Sequence, residues 1–101
     1  MDNHTECCRH KRIPRDEETV RQLQNRLNRI IGQLGGISTM LNENRYCGDI
    51  LTQLAAAESA LESLGYQILQ EHMKSCVAEE VRAGNEEIID ETLALIKKLK
   101  G

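Results

Sequence analysis

The sequence predicts an all-α protein: a three-helix protomer that completes its core by pairing into an antiparallel four-helix-bundle dimer and then a dimer of dimers. Three observations lead there. The 101 residues contain a single proline, at position 14, so nothing after it breaks a helix by removing a backbone donor. Trp and Phe are absent and Tyr occurs twice, leaving Leu, Ile, Val, Ala and Met to fill the interior. Apolar residues recur at spacings of three and four rather than two, the period of helices that bury one face. A chain this short has little surface to bury alone, and its apolar stripes call for partner helices from further copies.

Residues 1–15 carry no periodic apolar pattern and read as a disordered tail, with the helical domain over 16–101. Pro14 suits a helix approach, and Asp16, Glu17 and Glu18 fall where the positive end of the helix dipole favours acids. From there Val20, Leu23, Leu27, Ile30, Leu34, Ile37 and Leu41 mark a helix over about 16–42. Gly32, Gly35 and Gly36 interrupt it. Each costs about 1 kcal/mol in an exposed helix, which points to close packing or a kink.

A polar turn, LNENRYC (41–47), leads to a second helix from about 46 to 75 or beyond. Cys47, Ile50, Leu54, Ala57, Leu61, Leu64 and Ile68 alternate steps of three and four, a heptad seam that wants a partner helix of equal length. Ala83-Gly84-Asn85 is a stop signal. A third helix over about 86–99 carries Ile88, Ile89, Leu93, Ile96 and Leu99, with acids at its start and Lys97, Lys98 and Lys100 at its end.

The net charge of −3 argues against a nucleic-acid binder, but its distribution does not. Residues 1–45 hold eight Lys/Arg against six Asp/Glu, and 46–101 hold five against ten. Local potential steers an anionic partner more than total charge does. No apolar run approaches a membrane span and no signal-peptide core is visible, so the expectation is a cytoplasmic protein without membrane contact. In a reducing compartment four cysteines read as metal ligands or reactive thiols rather than disulfides. No nucleophile–base pair, phosphate loop or paired-acid set is present, so an enzyme is not expected.

Cys47, His72 and Cys76 are the chemically informative residues. His72 and Cys76, four apart, share a helix face and can bind one ion. Cys47 precedes His72 by 25 residues, about 37 Å on a continuous helix, too far for one metal. An antiparallel partner helix removes the conflict by setting Cys47 of one subunit beside His72 and Cys76 of the other. Two thiolates and one imidazole form a soft three-coordinate set that selects Cu(I), while Zn(II) usually asks for a fourth ligand. Against this, a cysteine on a helix seam is often a small hydrophobe, and His72 beside Glu71 also suits a surface position. The tail holds a second soft cluster, His4, Cys7, Cys8 and His10, on a polar segment that holds its residues loosely.

Residues 26–77, with RYCxDILTQLAA and EHxxxC as the most specific pieces, resemble the CsoR/RcnR family of metal-sensing bacterial repressors. A Cys followed by His-x3-Cys is similar to its copper-sensing branch. The resemblance implies a homodimer assembling to a homotetramer, apo binding to the operator DNA of copper-export genes, and release of that DNA by Cu(I) at the dimer interface. It implies Cys47, His72 and Cys76 as ligands, with Tyr46 and Glu91 as groups supporting them; Glu91 would fix the tautomer of His72. The phosphate contacts it leaves available are Arg12, Arg15, Arg21, Arg26 and Arg29, with Arg9 and Lys11. The chain departs from the family pattern at Gly35, Glu58 and Ser63, where relatives are often basic. Sensing of Ni(II)/Co(II) or persulfide on the same fold, and a copper buffer without DNA binding, are the alternatives.

Overall fold

The computed structural model describes residues 15–100, and the regular elements among them are helices joined by short turns. Helix α1 spans Glu17–Asn42 and α2 spans Cys47–His72. A π-helical turn, Met73–Val77, continues α2 without a break into the short α3, Ala78–Arg82; α4 spans Glu87–Lys100. The three expected helices are present, the second extended through the turn. The tail assigned to 1–15 lies outside the described residues except for Arg15. The chain divides into two compact units, residues 17–65, and residues 66–100 with 15–16.

In the first unit, α1 and the leading part of α2 run antiparallel, and the Arg26 guanidinium of α1 donates to the Ser63 hydroxyl of α2 at 3.2 Å. Each helix carries two apolar rows of period seven. Leu23, Ile30 and Ile37 of α1 and Ile50, Ala57 and Leu64 of α2 are buried or half-buried. Val20, Leu27, Leu34 and Leu41, and Cys47, Leu54 and Leu61, are exposed. The single chain thus covers one row of each stripe and leaves the other to solvent. The glycines of α1 cause no break. A Cβ at Gly32, Gly35 or Gly36 would meet nothing within 4 Å, so packing inside the chain does not account for them.

The turn between α1 and α2 is a Schellman motif. Asn44 takes the left-handed conformation (φ 55°), Arg45 N–H donates to the Met40 carbonyl at 3.0 Å, and Asn44 N–H to the Leu41 carbonyl at 3.2 Å. The same device ends α3. Gly84 has φ 91°, Asn85 N–H donates to the Glu80 carbonyl at 2.9 Å, and Gly84 N–H to the Val81 carbonyl at 3.0 Å. Asn85 then opens α4 as its N-cap, its Oδ1 accepting from Glu87 N–H at 3.2 Å.

The second unit is built around Ile88, which is fully buried, with Cys76, Val77, Glu80 and Thr92 buried as well. Helix α4 packs against both the π-helical turn and α3. The two buried polar side chains are satisfied. Thr92 donates to the Ile88 carbonyl at 2.8 Å, and Asn85 Nδ2 donates to Glu80 Oε1 at 2.8 Å.

Candidate metal centre

His72 is the last residue of α2, and Cys76 lies four residues on, inside the π-helical turn. The turn is defined by a wide bond: Ala78 N–H reaches back to the Met73 carbonyl, five residues away. The Ser75 hydroxyl donates to the Glu71 carbonyl at 2.8 Å. Single π-helical turns inside α-helices occur frequently at functional sites, and this one separates the two expected ligands.

The turn alters how the pair is aligned. In an α-helix of 3.6 residues per turn, a residue four positions on lies about 40° around the axis. A turn closed by an i→i+5 bond holds more residues, so the offset between His72 and Cys76 differs from the α-helical one. Cys76 is a buried cysteine outside any disulfide, 5% exposed, and His72 is half-buried with its Nε2 shielded from solvent. A borderline imidazole nitrogen and a soft thiol four residues apart suit a soft cation.

Cys47 is the first residue of α2 and His72 the last. The helix is continuous over 26 residues, so about 37 Å of helix separates them. Cys47 is a free, exposed thiol and stands at the head of the exposed row it shares with Leu54 and Leu61. Among the described residues, no three His, Cys, Asp or Glu side chains of one chain converge as a metal cluster. Two of the expected ligands therefore stand one turn apart, and the third sits at the opposite end of the same helix.

Tyr46 is 74% exposed, and its ring lies over the backbone of Gly48, where an added Cβ would collide with it. Its carbonyl accepts from Asp49 N–H at 3.0 Å and Ile50 N–H at 3.2 Å, closing the first turn of α2. Tyr46 is thus beside Cys47 in both sequence and structure. Glu91 is half-buried on α4, in the same unit as His72 and Cys76, and is engaged in a polar interaction.

The basic residues are dispersed. Arg15 forms a 2.6 Å ion pair with Glu71, next to His72. Arg21 pairs with Glu18 on its own helix. Arg26 reaches Ser63, and Arg29 is exposed. Arg21, Arg26 and Arg29 spread over about 140° of α1, a broad face rather than a narrow stripe. Arg12, His4, Cys7, Cys8 and His10 lie outside the described residues. Sequence reasoning missed the π-helical turn, and nothing in MKSCV signals it: the Ser75 hydroxyl bond within it is also made by Thr39, Thr52 and Thr92 in regular α-helix.

Comparison with known proteins places these features in a family. Residues 19–98 match the family model described as a metal-sensitive transcriptional repressor. The copper-sensing transcriptional repressor CsoR of Bacillus subtilis is 41% identical over 78 residues, covering 76% of this chain and 77% of that protein. The copper-sensing transcriptional repressor RicR of Mycobacterium tuberculosis is 46% identical over 59 residues, covering 58% of this chain and 62% of that one. Among solved structures, the copper-sensing repressor CsoR with Cu(I) from Geobacillus thermodenitrificans superposes with a TM-score of 0.82 at 40% identity, covering 88% of this chain and 94% of that chain. The nickel-responsive transcriptional regulator InrS gives a TM-score of 0.61 at 36% identity, covering 89% and 94%. With most of its length matched by the family model and its fold shared with a solved relative, the chain belongs to the metal-sensitive transcriptional repressors.

Proposed function

We propose that this chain is a Cu(I)-responsive transcriptional repressor whose hold on operator DNA is relieved when Cys47, His72 and Cys76 bind Cu(I). The observation that carries this is the placement of the donors: His72 and Cys76 one turn apart at the end of α2, Cys47 at its beginning. A second copy running antiparallel along the exposed row would bring its Cys47 to this chain's pair. When bound, Cu(I) supplies soft, short bonds that join two thiolates and an imidazole across the subunit boundary. The relatives' copper-sensing names and the Cu(I)-bound structural match support the same inducer.

Tyr46 and Glu91 act in support of the ligands, Glu91 by bonding the second ring nitrogen of His72 and so linking the centre to α4, which already packs on the π-helical turn. Arg12, Arg15, Arg21, Arg26 and Arg29 contact DNA phosphates. The assembly is a homodimer pairing to a homotetramer, and the protein works in the cytoplasm, where its DNA is. The similarity to a nickel-responsive regulator makes Ni(II) the second reading. It is opposed by the thiolate-rich donor set and by the sequence, whose three histidines are His4, His10 and His72.

Subunit complementation tests the shared site. Cys47→Ala and Cys76→Ala homomers should each lose tight Cu(I) binding. Mixed and reassembled, they should regain one site per heterodimer, formed by Cys47 of the Cys76→Ala chain with His72 and Cys76 of the other. Failure of the mixture to bind Cu(I), with heterodimers demonstrated by mass, would refute the shared centre. Preferential release of DNA by Ni(II) would select the second reading.

A further inference from the structure

We infer that Glu71 is a positioning residue for DNA binding: its carboxylate holds the Arg15 guanidinium by Nε, leaves the terminal nitrogens for a phosphate, and ties that contact to the metal centre one residue on. The inference rests on the repressor reading above and deepens it. Arg15 stands just before α1, and its Nε donates to Glu71 Oε1 at 2.6 Å across 56 residues of sequence. The pairs Arg21–Glu18 and Arg45–Glu43 are local by comparison. Both Arg15 and Glu71 belong to the unit that contains His72 and Cys76. They are unequally covered, the Glu71 side chain keeping 22% of its surface exposed and that of Arg15 38%. The carboxylate is thus the more sheltered partner and the guanidinium the outward one.

The atom that makes the bond decides what Arg15 can still do. A guanidinium grips a phosphate through two parallel N–H bonds. The bond to Glu71 uses Nε, so the terminal nitrogens keep donors for such a grip. Arginine carries much rotamer freedom, and a partner that fixes it beforehand lowers the ordering cost that the phosphate contact must offset. The negative charge of Glu71 repels DNA at the same time, so positioning and repulsion act in opposite directions. Glu71 is also the backbone neighbour of His72, the last residue of α2. A cation that pulls on the imidazole pulls on the adjoining residue, and copper binding reaches Arg15 through one peptide bond and one ion pair.

The test compares two neutral replacements. Glu71→Gln keeps a side-chain carbonyl that can accept from Arg15 Nε, and Glu71→Ala has none. Both remove the same negative charge, so repulsion of DNA by itself predicts equal affinities. Both are good helix formers, and Glu71→Met, as long as Gln but without its carbonyl, replaces Glu71→Ala if that variant does not fold. Binding of the metal-free protein to a labelled duplex carrying the sequence upstream of its own gene is measured by fluorescence anisotropy across a salt series. Glu71→Ala should bind about 10-fold more weakly than Glu71→Gln, the order expected for loss of a hydrogen bond to a charged group. Its salt slope should be shallower by about one contact. The difference should vanish when Arg15→Ala is added to both, and Cu(I) should lower DNA affinity less in Glu71→Ala than in Glu71→Gln. Equal affinity and slope for the two would overturn the positioning role, as would a difference that survives Arg15→Ala. Equal copper responses would refute the tie to the metal centre. Arg15→Ala alone separates the two levels. If it weakens binding while Glu71→Gln and Glu71→Ala are equal, the phosphate contact stands and the role of Glu71 falls. If it binds as wild type does, the phosphate assignment of Arg15 falls and takes the inference with it.

Discussion

Leu61→Ala should weaken self-association without unfolding the chain. Leu61 keeps 46% of its surface exposed in the single chain, in the row with Leu54 and Cys47. Burying a whole leucine stabilises by about 1.5–3 kcal/mol, so covering the remaining half contributes about 1 kcal/mol. A two-fold interface contains the residue twice, giving about 2 kcal/mol per dimer, or a roughly 30-fold rise in the dissociation constant. Alanine is at least as good a helix former as leucine, so α2 itself is not weakened. Leu64→Ala is the contrasting variant. Leu64 is 7% exposed and packs within the chain, so its truncation should cost about 2–5 kcal/mol of folding stability. Sedimentation across a concentration series reads association, and urea unfolding reads stability. A Leu61→Ala protein that associates as tightly as wild type would refute the assignment of this row to a partner helix.

Two further outcomes follow from the geometry. Gly84→Ala should destabilise by about 1–2 kcal/mol, because φ 91° strains any residue with a Cβ; urea unfolding at fixed protein concentration checks it, and unchanged stability would mean that the α3–α4 turn can reorganise freely. His72→Ala should still bind Cu(I) through its two thiolates but lose much of the copper-dependent drop in operator affinity, a coupling typically of about 1–3 kcal/mol. Fluorescence anisotropy at fixed salt measures it, and a full copper response in this variant would show the imidazole to be a ligand without a relay role.

The helices were legible because their signals are local and redundant. Period-seven rows, Asp and Glu at helix starts, and Gly84-Asn85 at a stop all agree, and tertiary packing has no reason to override them. The spacing of the proposed donors was legible too, since the helix carrying Cys47 was expected to run on to His72 and does so. The division of each stripe into a covered and an uncovered row was not legible, because both rows have the same residue types and only three-dimensional packing separates Leu64 from Leu61. The π-helical turn was hidden for a different reason. MKSCV has no residue that forbids an α-helix, and its Ser75 hydroxyl bond to the Glu71 carbonyl is of a kind that Thr39, Thr52 and Thr92 make in uninterrupted α-helix. The glycines of α1 suggested close packing or a kink; α1 runs unbroken, and within the chain a Cβ at any of the three would meet open space.

The wide turn has a companion further along the same unit. The side chains buried there include Cys76 and Val77 from the π-helical turn and Glu80 from α3. Glu80 brings a carboxylate into that interior, where burial without a partner is costly. The Asn85 amide donates to it at 2.8 Å through Nδ2, while the Oδ1 of the same side chain receives the Glu87 N–H at the start of α4. One amide thus ties the carboxylate of the helix before the turn to the first backbone donors of the helix after it.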